Sequence, residues 1–124
     1  MEEELLYHEL TRQIIGVSYT VHNMLGFGHR EKVLQRAHEI EYGKLGLKFK
    51  KEVPVSIFYD GRIIAKYYMD FVIEDKVVVE LKLANEFYTK DVKQVLCYLK
   101  ANNLKLGLLI IFNKEGVKVK RIIN

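Results

Sequence analysis

The chain has 124 residues, 49% of them hydrophobic, with one proline and no long Ser/Gly tract, so residues 1–124 read as a single domain without a linker. One cysteine, Cys97, excludes an internal disulfide and suits a reducing compartment. The net charge of +4 is uneven: residues 1–40 hold four Lys/Arg against six Asp/Glu, and residues 41–124 hold sixteen against ten. That balance allows a polyanionic partner without requiring one, since a solvated lysine face has the same composition.

The start, MEEELLYHEL, is acidic and lacks the long apolar run of a signal peptide. Apolar positions Leu6, Leu10, Ile14, Val17, Val21 and Leu25 recur in steps of three and four, which predicts a helix over residues 3–25 stopped by Gly26-Phe27-Gly28. A second helix is expected over about 29–45, with Val33, Leu34, Ala37 and Ile40 facing inward and Gly46 ending it in the left-handed conformation. Residues 47–59 are β-rich, with Pro54 favouring an edge position. Asp60-Gly61 predicts a hairpin, followed by strands at 62–73 and 77–84. A helix is expected from Thr89 to about Asn103, with Cys97 as a small core residue. Leu106–Phe112 reads as a buried strand, too short to cross a membrane. Val117–Ile123 reads as a last strand whose Lys118 and Lys120 protect an edge. The order ααβββαββ is an α/β class built on a mixed sheet. Together these features predict a soluble, cytoplasmic protein.

Two apolar strands carry charges where their pattern asks for more valine. In Val77-Val78-Val79-Glu80-Leu81-Lys82-Leu83, Glu80 and Lys82 leave one face of the strand. In Tyr67-Tyr68-Met69-Asp70-Phe71-Val72-Ile73, Asp70 stands alone. A three-residue turn at 74–76 would set Asp70 opposite Glu80 and Tyr68 opposite Lys82, whereas a two-residue turn would put the carboxylates on opposite faces. Both faces are apolar, so hydrophobicity does not choose between the registers. Facing carboxylates repel unless a divalent cation lies between them; Mg²⁺ takes one or two carboxylates plus water and phosphate oxygens at about 2.0–2.1 Å. The alternative is an ordinary strand with a Glu–Lys pair and an unrelated Asp. His8, His22, His29 and His38 lack zinc spacing and read as surface or helix-packing residues, with His29 singled out by its place two residues before Glu31. Tyr67, Tyr68, Phe87 and Tyr88 could stack on bases or fill core and rim.

The sequence resembles the PD-(D/E)XK nuclease superfamily, and within it the small GxxExxY family. The resemblance rests on Gly26-Phe27-Gly28-His29-Arg30-Glu31, on "YYMDFVIEDKVVVELK" with its D-x9-E-x-K spacing, on Gln94-Val95-Leu96-Cys97-Tyr98-Leu99-Lys100, on "LKLGLLIIFN" and on "VKRIIN". It runs from about residue 8 to 124, and the order and spacing of these segments carry it rather than any one motif. It implies a restriction-endonuclease-like core and a nuclease that cleaves DNA, or RNA, with Mg²⁺ (or Mn²⁺ as a substitute). By position, Asp70 and Glu80 would be metal ligands, joined by the Leu81 backbone carbonyl. Glu31 would be a further acid holding metal or water. Lys82 would be the catalytic lysine. Gln94 and Tyr98 look like the Q-x-x-x-Y element of the RecB-like branch and would bind substrate. The family signature ends in Tyr where this chain has Leu34, so that hydroxyl is absent or supplied elsewhere. A domain this small could need a homodimer to grip DNA. The competing reading is a non-catalytic nucleic-acid-binding or protein-interaction module that keeps the nuclease fold.

Overall fold

The structure, a computed structural model, describes residues 6–124. Its elements in chain order are α1 (His8–Leu25), α2 (Glu31–Lys44), β1 (Phe49–Tyr59), β2 (Arg62–Ile73), β3 (Val77–Leu83), α3 (Thr89–Ala101), β4 (Leu106–Asn113) and β5 (Gly116–Ile123). The predicted order is met element for element, and one mixed sheet runs β1-β2-β3-β4-β5. Only β3 and β4 are parallel, because α3 carries the chain back across the sheet between them. Helices α1 and α2 cover one face and α3 the other, each over its own apolar cluster.

The start of α1 differs from the expectation. The first five residues of the chain lie outside the described residues, and Tyr7, with φ 52°, turns the chain out of helical geometry so that the helix begins at His8. Leu6 still packs against the core, from a turn. The inward face of α2 also needs correction. Leu34 is buried and Ala37 packs on the core, but Val33 is 40% and Ile40 63% exposed. Gln35, His38 and Tyr42 are buried in their place. The helical period holds; the stripe is occupied by residues whose polar atoms find partners only in the folded chain.

His38 shows how. Its Nδ1 lies 2.7 Å from the Leu34 carbonyl and its Nε2 2.9 Å from Ser18 Oγ of α1. The carbonyl can only accept, so Nδ1 carries the proton and the Ser18 hydroxyl donates to Nε2. The ring thus ties α1 to α2 while packing among Tyr42, Phe71 and Phe112.

The turns follow their chemistry. Asp60 and Gly61 both have positive φ, as a two-residue hairpin turn that matches strand twist requires. Glu74 and Asp75 also take positive φ in a turn spanning residues 74–76, which selects the register Ile73↔Val77, Val72↔Val78 and Phe71↔Val79. The ladder ends there, so the expected pairing of Tyr68 with Lys82 does not form. Before Asp70, β2 pairs only with β1, and the two strands continue as a ribbon to the Asp60-Gly61 turn.

On β4, a Cβ at Gly107 would stand 2.5 Å from Val95 Cγ1, so the missing side chain lets α3 approach the sheet. Gly107→Ala is expected to destabilise the fold by about 1–3 kcal/mol, read from denaturant midpoints. A second expectation concerns His38, whose pKa burial lowers from 6.5 to about 4. The unfolded chain binds this proton at higher pH than the folded one. The stabilisation by neutral His38 is therefore complete above 6.5 and is lost as pH falls towards 4. Between pH 7 and 4.5 the wild type should lose about 2 kcal/mol through this group, and His38→Gln should flatten that slope.

Candidate active site

At Asp70 the two central strands part. Strand alternation would put Met69 and Phe71 on one face, yet Met69 joins the core under α3 and Phe71 the core under α1 and α2. The β1 ladder is interrupted at the same level: Lys51 pairs with Phe71 and Val53 with Met69, while Glu52 between them has φ 52° and pairs with nothing in the ladder. Beyond Phe71 and Val79, side chains replace the backbone ladder between β2 and β3. The Asp70 N–H donates to Glu80 Oε1 at 3.0 Å, and the Leu81 N–H donates to Asp70 Oδ2 at 2.7 Å. One step further, the Leu83 N–H donates to Glu31 Oε1 at 3.4 Å. An extended residue directs its N–H and C=O to one side, so the Leu81 carbonyl lies on this edge as well.

Four predicted residues are therefore gathered at one end of β3. Asp70, Glu80 and Leu81 meet directly, and Glu31 reaches the same strand edge from the first turn of α2. Lys82 stands beside them, with Nζ 3.7 Å from Glu80 Oε2 and 4.0 Å from Asp91 Oδ1 on α3. A cavity of about 440 Å³ opens above Asp70, lined by Glu31, Lys32, Gln35, Glu52, Tyr68 and Asp70. A Lys32–Glu52 ion pair at 2.7 Å rims it.

Two neighbours were not foreseen from the sequence. Gln35 Nε2 donates to Asp70 Oδ1 at 3.4 Å, and Asp91 is buried against Lys82. Both carried a signal. Gln35 adjoins the buried stripe of Leu34, His38 and Tyr42, and Asp91 stands one helical turn before Val95 on the inward face of α3. A polar group on an apolar stripe marks a partner across the core.

The Q-x-x-x-Y pair is placed differently from the other candidates. Gln94 is half-buried on α3, and Tyr98 is buried in the cluster under that helix. Burial raises the Tyr98 hydroxyl pKa, and the charge acting on it is Asp75 of the 74–76 turn rather than a carboxylate of the site. It is Asp91 that brings α3 to Lys82. His29 lies 3.0 Å from the Leu25 carbonyl, at the end of α1. Leu34 is a core residue, as its side chain demands. The buried Tyr42 hydroxyl, two turns on, has no hydrogen-bond partner among the described residues, and burial and then the Asp70 charge hold its proton on.

Burial dominates the electrostatics. It raises the pKa of Asp70, although hydrogen bonds with Glu80 and the Leu81 N–H oppose it. Burial, and next the Asp70 charge, push Glu80 from 4.5 up to about 9. Without a cation both shifts disfavour ionisation of the pair. The donor chemistry fits a hard divalent ion: every available donor is oxygen, and once both acids are ionised they carry negative charge that Lys82 alone does not offset. Among the described residues no three His, Cys, Asp or Glu side chains are gathered as a ready-made cage. The remaining coordination positions would therefore fall to the Leu81 carbonyl, water and phosphate oxygens.

The comparisons give the family and the fold. Residues 8–122 match the family described as the PD-(D/E)XK nuclease superfamily. The fold is similar to the crystal structure of SSO0001, with a TM-score of 0.58 at 19% identity over 76% of this chain and 50% of that one. It is also similar to an alkaline exonuclease, LHK-Exo, from Laribacter hongkongensis, with a TM-score of 0.54 at 11% identity over 76% of this chain and 56% of that one. The chain thus spans about half the length of these structures. No curated protein matches it.

The carboxyl pair has a consequence for stability. The folded state keeps a proton that the unfolded chain loses near 4.5, so this contribution to stability is complete below 4.5 and declines as pH rises towards 9. Glu80→Gln should therefore stabilise the metal-free protein at pH 8 by about 1–3 kcal/mol and change little at pH 4.5, as thermal melts at the two pH values will show.

Proposed function

Since this chain belongs to the PD-(D/E)XK nuclease superfamily, we propose that it is a metal-dependent phosphodiesterase that hydrolyses nucleic acid, DNA in preference to RNA, with Mg²⁺ as its ion. The observation that carries the reading is the Asp70–Glu80–Lys82 cluster, a half-buried acid, a buried acid and an amine held on rigid strands, with Asp70 opening on the cavity. Its order along the chain supports placing it near the GxxExxY family, from which Leu34 departs.

Asp70, Glu80 and the Leu81 carbonyl are the ligands we assign, with Glu31 holding a further water or the ion itself. When bound, such an ion lowers the pKa of a coordinated water and offsets charge on the scissile phosphate. The chain's own groups do the rest. Lys82, steadied between Glu80 and Asp91, points an amine at the phosphate's developing charge and orients the attacking water. Gln35 fixes the Asp70 carboxylate from the α2 side. Of the two substrate-contact positions the resemblance assigns, half-buried Gln94 stays available for that role, whereas Tyr98 is buried in the core under α3. The net positive second half of the chain supplies phosphate contacts along the backbone, so binding should weaken steeply with salt. Among the described residues no helix is long and apolar enough to cross a membrane.

The test is cleavage of end-labelled oligonucleotides with Mg²⁺ or Mn²⁺ against EDTA. Wild type should cut only with the metal, and Asp70→Asn and Lys82→Ala should each lose at least ~10²-fold in rate. A Mn²⁺ anomalous peak bonded to Asp70 and Glu80 should accompany it. Absence of both cutting and peak, with nucleic acid still bound, would move the chain to the non-catalytic module.

A further inference from the structure

The β1–β2 ribbon leaves the site directly, and its two faces differ. Paired residues share a face. Val53 with Met69, and Val55 beyond them, lie in the core under α3. The neighbouring pairs, Pro54 with Tyr68 and Ser56 with Lys66, therefore look the other way, towards the side on which Tyr68 lines the Asp70 cavity. The register shift between Ile57 and Phe58 skips a residue in β2, not in β1, so alternation along β1 carries Phe58 onto that same face, paired with Ile63. The outward strip thus runs Tyr68, Lys66, Phe58 away from the carboxylates. Tyr68 is 56% and Phe58 64% exposed, and exposed Lys66 takes part in none of the ion pairs formed among the described residues.

Rings and a free cation alternating on one face are what an unpaired nucleic-acid strand needs: faces for its bases and charge for its phosphates. The spacing agrees. A two-residue step along a strand is about 6.6 Å, an interval of nucleotide size, so the outward side chains can follow an extended single strand. From the Asp70 level to Phe58 is six residues of β1, or about 20 Å, a span of several nucleotides.

We infer that the outward face of this ribbon binds the single-stranded flank of the substrate, with Tyr68 and Phe58 stacking on bases and Lys66 meeting a phosphate. The inference rests on the nuclease reading and adds to it a substrate form and a one-sided footprint. A duplex hides its base faces and could use only Lys66.

Fluorescence anisotropy in EDTA, which leaves the strand uncut, separates the two. Wild type should bind a 12-nucleotide single strand, and the double variant Phe58→Ala/Tyr68→Ala should weaken that binding roughly tenfold or more. Lys66→Glu, an exposed change that spares the fold, should weaken it and lower the salt dependence. A 4-nucleotide strand should be bound weakly and alike by all. If wild type binds no oligonucleotide at low salt, the nuclease reading itself falls. Wild type that binds or cleaves the 12-mer while both variants match it overturns the ribbon's role alone. So does a dimer by light scattering that Phe58→Ala converts to monomer with affinity for the strand unchanged, since the ribbon would then be a self-association face.

Discussion

Asp70 and β3 exchange hydrogen bonds in both directions: the Asp70 N–H goes to the Glu80 carboxyl, and the Asp70 carboxyl takes the Leu81 N–H. This crossed pair does the work of a ladder rung while keeping the strands apart. A normal rung would close β2 onto β3 and leave no room between them. Here the backbone groups stay satisfied, as burial requires, and the strands can diverge. The cavity, the ribbon and the accessible edge of β3 all follow from that divergence. The Glu31 carboxylate extends the same device one step further, accepting the Leu83 N–H from α2.

The arrangement is unfavourable electrostatically, and the surrounding structure holds it in place. Burial raises both pKa values, and a neighbouring charge adds to it, that of Asp70 at Glu80 and that of Glu31 at Asp70. Lys82 and the donated N–H groups offset part of this. The sheet supplies the remainder: β3 and β4 are almost wholly buried, and Phe71, Val79 and Leu81 anchor the site from the α1–α2 side. A strained cluster of like charges inside a well-packed frame is the usual form of a binding or catalytic centre rather than of a structural one. The opposite sense of His38, buried and neutral with both nitrogens matched, marks it as a packing residue despite its chemistry.

The two helical layers divide the labour of placing the site. Helix α2 contributes Glu31 and Gln35 from above, one turn apart on one side of the helix. Helix α3 contributes Asp91 from below, and it can do so because Gly107 presents no side chain where Val95 packs. An absent methyl on β4 thereby helps set the distance between Asp91 on α3 and Lys82 on β3.

Local chemistry was legible along the chain. Apolar spacing, glycine and Asp-Gly signals placed the eight elements of the described residues, and isolated charges in apolar strands singled out Asp70, Glu80 and Lys82. What lay beyond local pattern was decided by tertiary structure. The register of the β2–β3 hairpin could not be read because both faces are apolar; backbone conformation at Glu74 and Asp75 chose it. The burial of Gln35, His38 and Asp91 depended on Asp70, Ser18 and Lys82, residues 35, 20 and 9 positions away. A polar side chain enters the interior only when a partner meets it there, and the sequence around it does not say which distant strand or helix will bring that partner.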